Sequence, residues 1–214
     1  LLVTSGNIIE PMLSEDILDS LSHYYTLEKD ADSFSNLKLV FANTILGYKV
    51  ACITRTSYLC ELAKIAPLSI YTKSHLDGLP LLIHKGIADY ETQMPKIFHE
   101  SKINLNFTIP NIKSGIPLRV FDVLSSCGFL LTNPQEEILE YFIKGKDLDV
   151  FENLEDCKEK VRFYLKNDNI RISIATKEYE KVNIFHTLDQ RIEKILSTFT
   201  CFSSLTRSGV FKYP

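Results

Sequence analysis

The stretch Asn111-Ile112-Lys113-Ser114-Gly115-Ile116-Pro117-Leu118-Arg119-Val120-Phe121-Asp122 combines residue types suited to holding an anion and a polyol. Gly115 lets the backbone pass close to a ligand, and Pro117 suits the first turn of a helix. A helix beginning there turns its free amides, those of Gly115 and Ile116 included, outward at the positive end of its dipole, where phosphate is favoured. Arg119 adds a planar guanidinium that can grip two oxygens at once. Asp122, one turn further on, can accept hydrogen bonds from sugar hydroxyls. The same spacing also describes an ordinary Arg119–Asp122 surface pair beside a Gly/Pro turn, and spacing alone leaves both readings open.

Other candidates carry less. His84, His99 and His186 have no partner at catalytic spacing and read as structural or exposed. Asn104 and Asn106 share one face of a strand; Asn106 stands near its carboxyl end, where it either faces a ligand or fixes the next loop by a hydrogen bond. Tyr90, following Gly86 at the end of an earlier strand, either flanks the flat ring of a ligand or is an ordinary surface aromatic, the commoner case. The five cysteines are an odd number without a Cys-x-x-Cys pair, which argues against a disulfide framework or zinc site and for inert thiols in a reducing compartment. Asn106-Phe107-Thr108 matches a glycosylation sequon, a pattern short enough to arise by chance.

These residues need a scaffold, and the chain is long enough to build one. Its 214 residues are 45% hydrophobic and 24% charged, which excludes general disorder and allows a sizeable core. With 24 basic against 27 acidic residues, electrostatics give no reason to expect a nucleic-acid partner. No apolar run reaches the roughly 20 residues that span a bilayer, and no signal-peptide pattern opens the chain, so a cytoplasmic protein without a membrane span is expected.

The charge is uneven. Residues 1–35 hold seven acids and one base, whereas the remainder has a net charge of +3. Leu1 rather than methionine stands first, and the acidic opening reads either as a linker or remnant of an upstream domain or as a plain solvated helix. From Asn36 the pattern becomes regular. Apolar residues at helical spacing mark helices over 37–46, 56–66, 90–100, 117–126, 135–142, 154–165, 170–182 and 188–195. The helix over 37–46 is apolar enough to be expected buried. Short strands are predicted at 68–72, 81–84, 103–108, 129–132 and 148–151, and residues 198–214 read as a tail. Strands alternating with helices imply an α/β fold, a three-layer, Rossmann-like domain over 36–197 with one mostly parallel sheet of five or six strands. In such sheets ligands gather at the carboxyl ends of the strands, where the Ser114–Asp122 segment falls.

Several runs, taken together, resemble the CgeB-like (spore maturation) branch of the group 1 glycosyltransferases. They are Lys102–Phe107, Ser114-Gly-Ile-Pro-Leu-Arg-Val-Phe-Asp122, Cys127–Asn133, Tyr141–Lys146, Leu154-Glu-Asp156 and Tyr179–Val182, with Gly86–Tyr90, Met94-Pro95 and His186-Thr187 beside them. The resemblance implies the C-terminal, donor-binding domain of a GT-B enzyme, whose acceptor side is shaped by an N-terminal domain missing from this chain. It implies a nucleotide-sugar donor as substrate, no cofactor and no metal, with a retaining transfer. Arg119 matches the branch as a diphosphate contact. The wider group carries two glutamates eight positions apart; the second falls on Asp122, able to hold ribose hydroxyls, and the first on the uncharged Ser114. A Cys-Gly pair falls on Ser126-Cys127, so a glycine is lost there. Ser114 and the lost glycine speak for the alternative, a non-catalytic interaction module that has kept the fold.

Overall fold

The computed structural model describes residue 23 and residues 45–73, 79–109, 112 and 114–207, with backbone alone at 199–207. The acidic opening and residues 37–44 of the expected apolar helix lie outside the described residues. At the end of that expected helix, Ile45 is exposed.

Twelve elements follow in order among the described residues. Helix α1 (Gly47–Ala63) leads to strand β1 (Leu68–Ile70) and then β2 (Leu82–His84). Helix α2 (Met94–Glu100), strand β3 (Asn104–Asn106), helix α3 (Leu118–Ser125) and strand β4 (Leu130–Thr132) come next. The chain continues through α4 (Glu136–Tyr141), β5 (Asp149–Val150), α5 (Leu154–Lys166), α6 (Asp168–Phe185) and α7 (Leu188–Arg207). Helix α7 runs on well past Thr198, where the sequence period fades.

All strand pairings among the described residues are parallel, and the crossovers joining β3, β4 and β5 carry helices α3 and α4. They form two ladders rather than the single sheet expected: β1 with β2, and β3-β4-β5 in that order. The strands are only two or three residues long, so each ladder is held by few bonds. What joins the two ladders is side-chain packing: Leu68 of β1 packs with Leu105 and Phe107 around one shared core cluster.

Both faces of the three-stranded sheet are covered. Leu130 and Val150 pack with Phe98, Val120, Val123, Leu124, Ile138, Phe142 and Val182, under α2, α3, α4 and α6. Phe129, Leu131 and Phe151 face the other way, onto Leu62, Cys157, Val161, Tyr164 and Ile174 from α1, α5 and α6. The period-2 alternation of the strands thus feeds two cores, giving the layered α/β/α arrangement of a Rossmann-like domain.

Strand β3 shows how this covering changes the meaning of a pattern. In its alternation of apolar and polar residues the polar ones are the more buried: Asn104 and Asn106 are buried and Leu105 between them is half-buried. Each is satisfied inside. Asn104 Nδ2 donates to the carbonyls of Phe98 (2.9 Å) and Phe129 (3.2 Å), and Asn106 Nδ2 donates to the hydroxyls of Thr108 (3.0 Å) and Thr132 (2.9 Å). Of its two possible roles, Asn106 takes the internal one.

Candidate functional site

The site is built at the carboxyl ends of β3 and β4. Asn133, just beyond β4, ties the two outgoing loops together: its Oδ1 accepts from the Thr108 amide at 2.6 Å and its Nδ2 donates to the Thr108 carbonyl at 3.2 Å. The loop from β3 reaches α3 through Ser114 and Gly115, both exposed, and Ile116, which rests against the core. Gly115 has φ +93, a conformation that side chains rarely adopt. A Cβ there would meet nothing within 4 Å among the described residues. Pro117 occupies the N-cap, one position earlier than the first turn it was expected to join, and its carbonyl accepts from the Val120 amide at 3.0 Å.

Arg119 stands in the first turn of α3, as its spacing required. Its guanidinium lies 5.3 Å from the centre of the Phe98 ring, and its Nε is 3.8 Å from Asp122 Oδ2. Stacking on an aromatic face holds the cation without consuming its outward N–H donors. Asp122 is partly buried on the same face of the helix, one turn on. Its other oxygen is taken: the Tyr90 hydroxyl donates to Asp122 Oδ1 at 2.7 Å. That hydrogen bond holds the Tyr90 phenol above its usual pKa, so it stays a donor. Tyr90 itself is exposed, on a turn closed by reciprocal bonds: Thr92 N to Asp89 Oδ1 (2.8 Å) and Asp89 N to Gln93 Oε1 (2.8 Å). The structure therefore joins Arg119, Asp122 and Tyr90 in one cluster, with Gly115 and Ile116 on the approach to the helix and Ser114 at the rim.

Sequence reasoning missed two further groups. Past the end of β4, Gln135 Oε1 and Glu137 Oε2 are buried without a hydrogen-bond partner among the described residues. Their position after a strand's carboxyl end was the available signal. The second group comes from the far end of the chain. Arg191 lies 4.7 Å above the Phe121 ring, beside Asp122 in sequence, and its Nη2 is 3.2 Å from His186 Nδ1. Burial and then the Arg191 charge lower the His186 pKa, which keeps that ring neutral and leaves Arg191 as the cation. No local pattern links residue 191 to residue 121.

The other two histidines are structural: His84 Nε2 is 2.9 Å from the Thr72 carbonyl, and His99 Nδ1 is 3.1 Å from that of Ser126. Among the described residues no group of three or more His, Cys, Asp or Glu side chains could hold a metal ion. No described helix is long and apolar enough to cross a membrane. An open cavity of 530 Å³ lined by Lys96, His99, Ser126, Cys127 and Tyr179 sits at the opposite end of α3. Eight helical residues, about 12 Å, separate it from Gly115, so it does not belong to this site.

Comparison with known proteins agrees with this architecture. Residues 63–197 match the model of the family described as glycosyl transferase-like. Among solved structures, the crystal structure of TarM, a GT-B glycosyltransferase, superposes with a TM-score of 0.54 at 16% identity. The match covers 68% of this chain and 32% of TarM, so the chain spans about a third of that protein's length. No curated protein matches.

Proposed function

The chain belongs to the glycosyl transferase-like family, and from that premise we propose that it binds the nucleoside diphosphate of a nucleotide-sugar donor against the N-terminus of α3. The observation that carries this reading is the pairing of the Gly115 turn with Arg119 and Asp122 on consecutive turns of one helix. The diphosphate meets the helix-terminal amides and the Arg119 guanidinium, while Asp122 takes hydroxyls of the ribose. As the bond from sugar to diphosphate breaks, negative charge grows on the phosphate oxygens. Donors already aimed there stabilise the transition state more than the ground state. Acceptor attack on the face the diphosphate leaves gives a retaining transfer, with the acceptor side supplied by a domain outside this chain.

The alternative is an interaction module on the same fold, and the exposed, uncharged Ser114 favours it. Titration calorimetry with UDP, GDP, ADP and dTDP separates the two. Millimolar or tighter binding of at least one is expected; no heat from any of the four supports the interaction module.

A further inference from the structure

Tyr90 reaches its hydrogen bond across 32 residues of sequence, from the turn between β2 and α2 to the first turns of α3. Three features make this contact more than a surface accident. The turn that presents Tyr90 is braced: the Asp89 carboxylate accepts from both the amide and the hydroxyl of Thr92, and the Gln93 and Met94 amides return to the Asp89 carbonyl. The bond is short, 2.7 Å, and pairs a phenol with a carboxylate, a charge-assisted combination. It also ends on the one carboxylate of α3, whose second oxygen faces Arg119.

A carboxylate grips a vicinal diol best with one oxygen for each hydroxyl. In Asp122, Oδ1 holds Tyr90 and Oδ2 lies towards Arg119. A ribose hydroxyl that approaches Oδ1 from the side of the phenol competes with it for that acceptor.

We propose that Tyr90 is a specificity-determining latch that competes with the ligand for Asp122 Oδ1, so that the ribose is read mainly through the other carboxylate oxygen. This rests on the donor-site reading above and adds a competitor built into the protein. The latch makes the site more tolerant of a missing ribose hydroxyl, because the oxygen that would detect its loss already holds a strong donor. Removing the phenol oxygen alone frees that acceptor while the ring and the turn remain.

The test is calorimetry on the whole chain with UDP, GDP and ADP, each beside its 2′-deoxy form. The unaltered protein is expected to bind the two forms of a given nucleotide with similar affinity. Tyr90→Phe is expected to tighten the ribonucleotide by about 3- to 10-fold, the worth of one net hydrogen bond, while moving the deoxy form little. Tyr90→Phe combined with Asp122→Asn should lose that gain. If Tyr90→Phe leaves ribonucleotide affinity unchanged or weakens it, the latch is overturned and the donor site stands. If neither protein binds any of the six ligands, both fall together.

Discussion

At Cys127 the backbone turns left-handed, with φ 55, directly after α3 ends. The Cys127 amide bonds the Leu124 carbonyl at 3.1 Å and the Gly128 amide bonds that of Val123 at 3.0 Å, the paired closure that normally carries glycine at its left-handed position. A glycine at position 127 would therefore end the helix without strain. Cys127→Gly is expected to raise unfolding stability by about 1 kcal/mol in denaturant titration. Gly128 has no such freedom. A Cβ there would lie 2.7 Å from the Phe98 carbonyl oxygen and 2.8 Å from Asn104 Nδ2. Gly128→Ala should therefore cost about 1–3 kcal/mol in the same titration. Cys157 illustrates the inert thiol: burial pushes it up to about 12, so it should resist thiol reagents until the chain unfolds. At the site itself, Asp122→Asn is expected to weaken nucleoside and nucleoside diphosphate by similar factors in calorimetry, because both carry the ribose.

Among the elements, helix α5 has the clearest local specification. Asn153 Oδ1 accepts from the Asp156 amide at 3.0 Å, and Glu155 and Asp156 place acid in the first turn. Asn153→Ala should lower stability by about 1 kcal/mol by chemical denaturation. Such elements were legible because the information is local: the apolar period of α5 and the short runs of β4 and β5 between turns. The order of strands and helices followed, and with it the location of Ser114–Asp122 at a strand's carboxyl end. Three things were not legible. The buried face of β3 was hidden because the groups that satisfy its asparagines, the Phe129 carbonyl and the Thr132 hydroxyl, lie 25 and 26 residues away. The split into two ladders depends on packing between strands rather than on any strand's own pattern. Tyr90 reads in sequence as a flank for a ligand ring or a surface aromatic, whereas its hydroxyl is bonded to Asp122, a partner that no spacing rule could supply.

For the molecule as a whole, the most informative buried group is Glu178, which has no exposed surface and has both carboxylate oxygens unpartnered. Burial first, and then Asp147, raises its pKa from 4.5 to about 8, with Lys181 opposing. Lys181 is itself bonded to Asp147, at 2.6 Å, and to the Tyr141 carbonyl, at 2.7 Å. Between pH 4.5 and 8 the folded chain keeps a proton on Glu178 that the unfolded chain releases, so this group's contribution to stability falls as pH rises. The slope is about 1.4 kcal/mol per pH unit at most. Glu178→Gln should remove it, leaving a variant whose urea midpoint changes less between pH 5.5 and pH 8 than that of the unaltered protein. The larger claim is that this α/β/α domain turns the N-terminus of α3 into a diphosphate site, and Arg119 tests it most directly. Calorimetry should compare the nucleoside diphosphate that binds best with its parent nucleoside, before and after Arg119→Ala. The expected result is a loss of about 1.5–3 kcal/mol for the diphosphate and little change for the nucleoside. Equal losses for the two ligands, or no loss for either, would contradict the phosphate assignment.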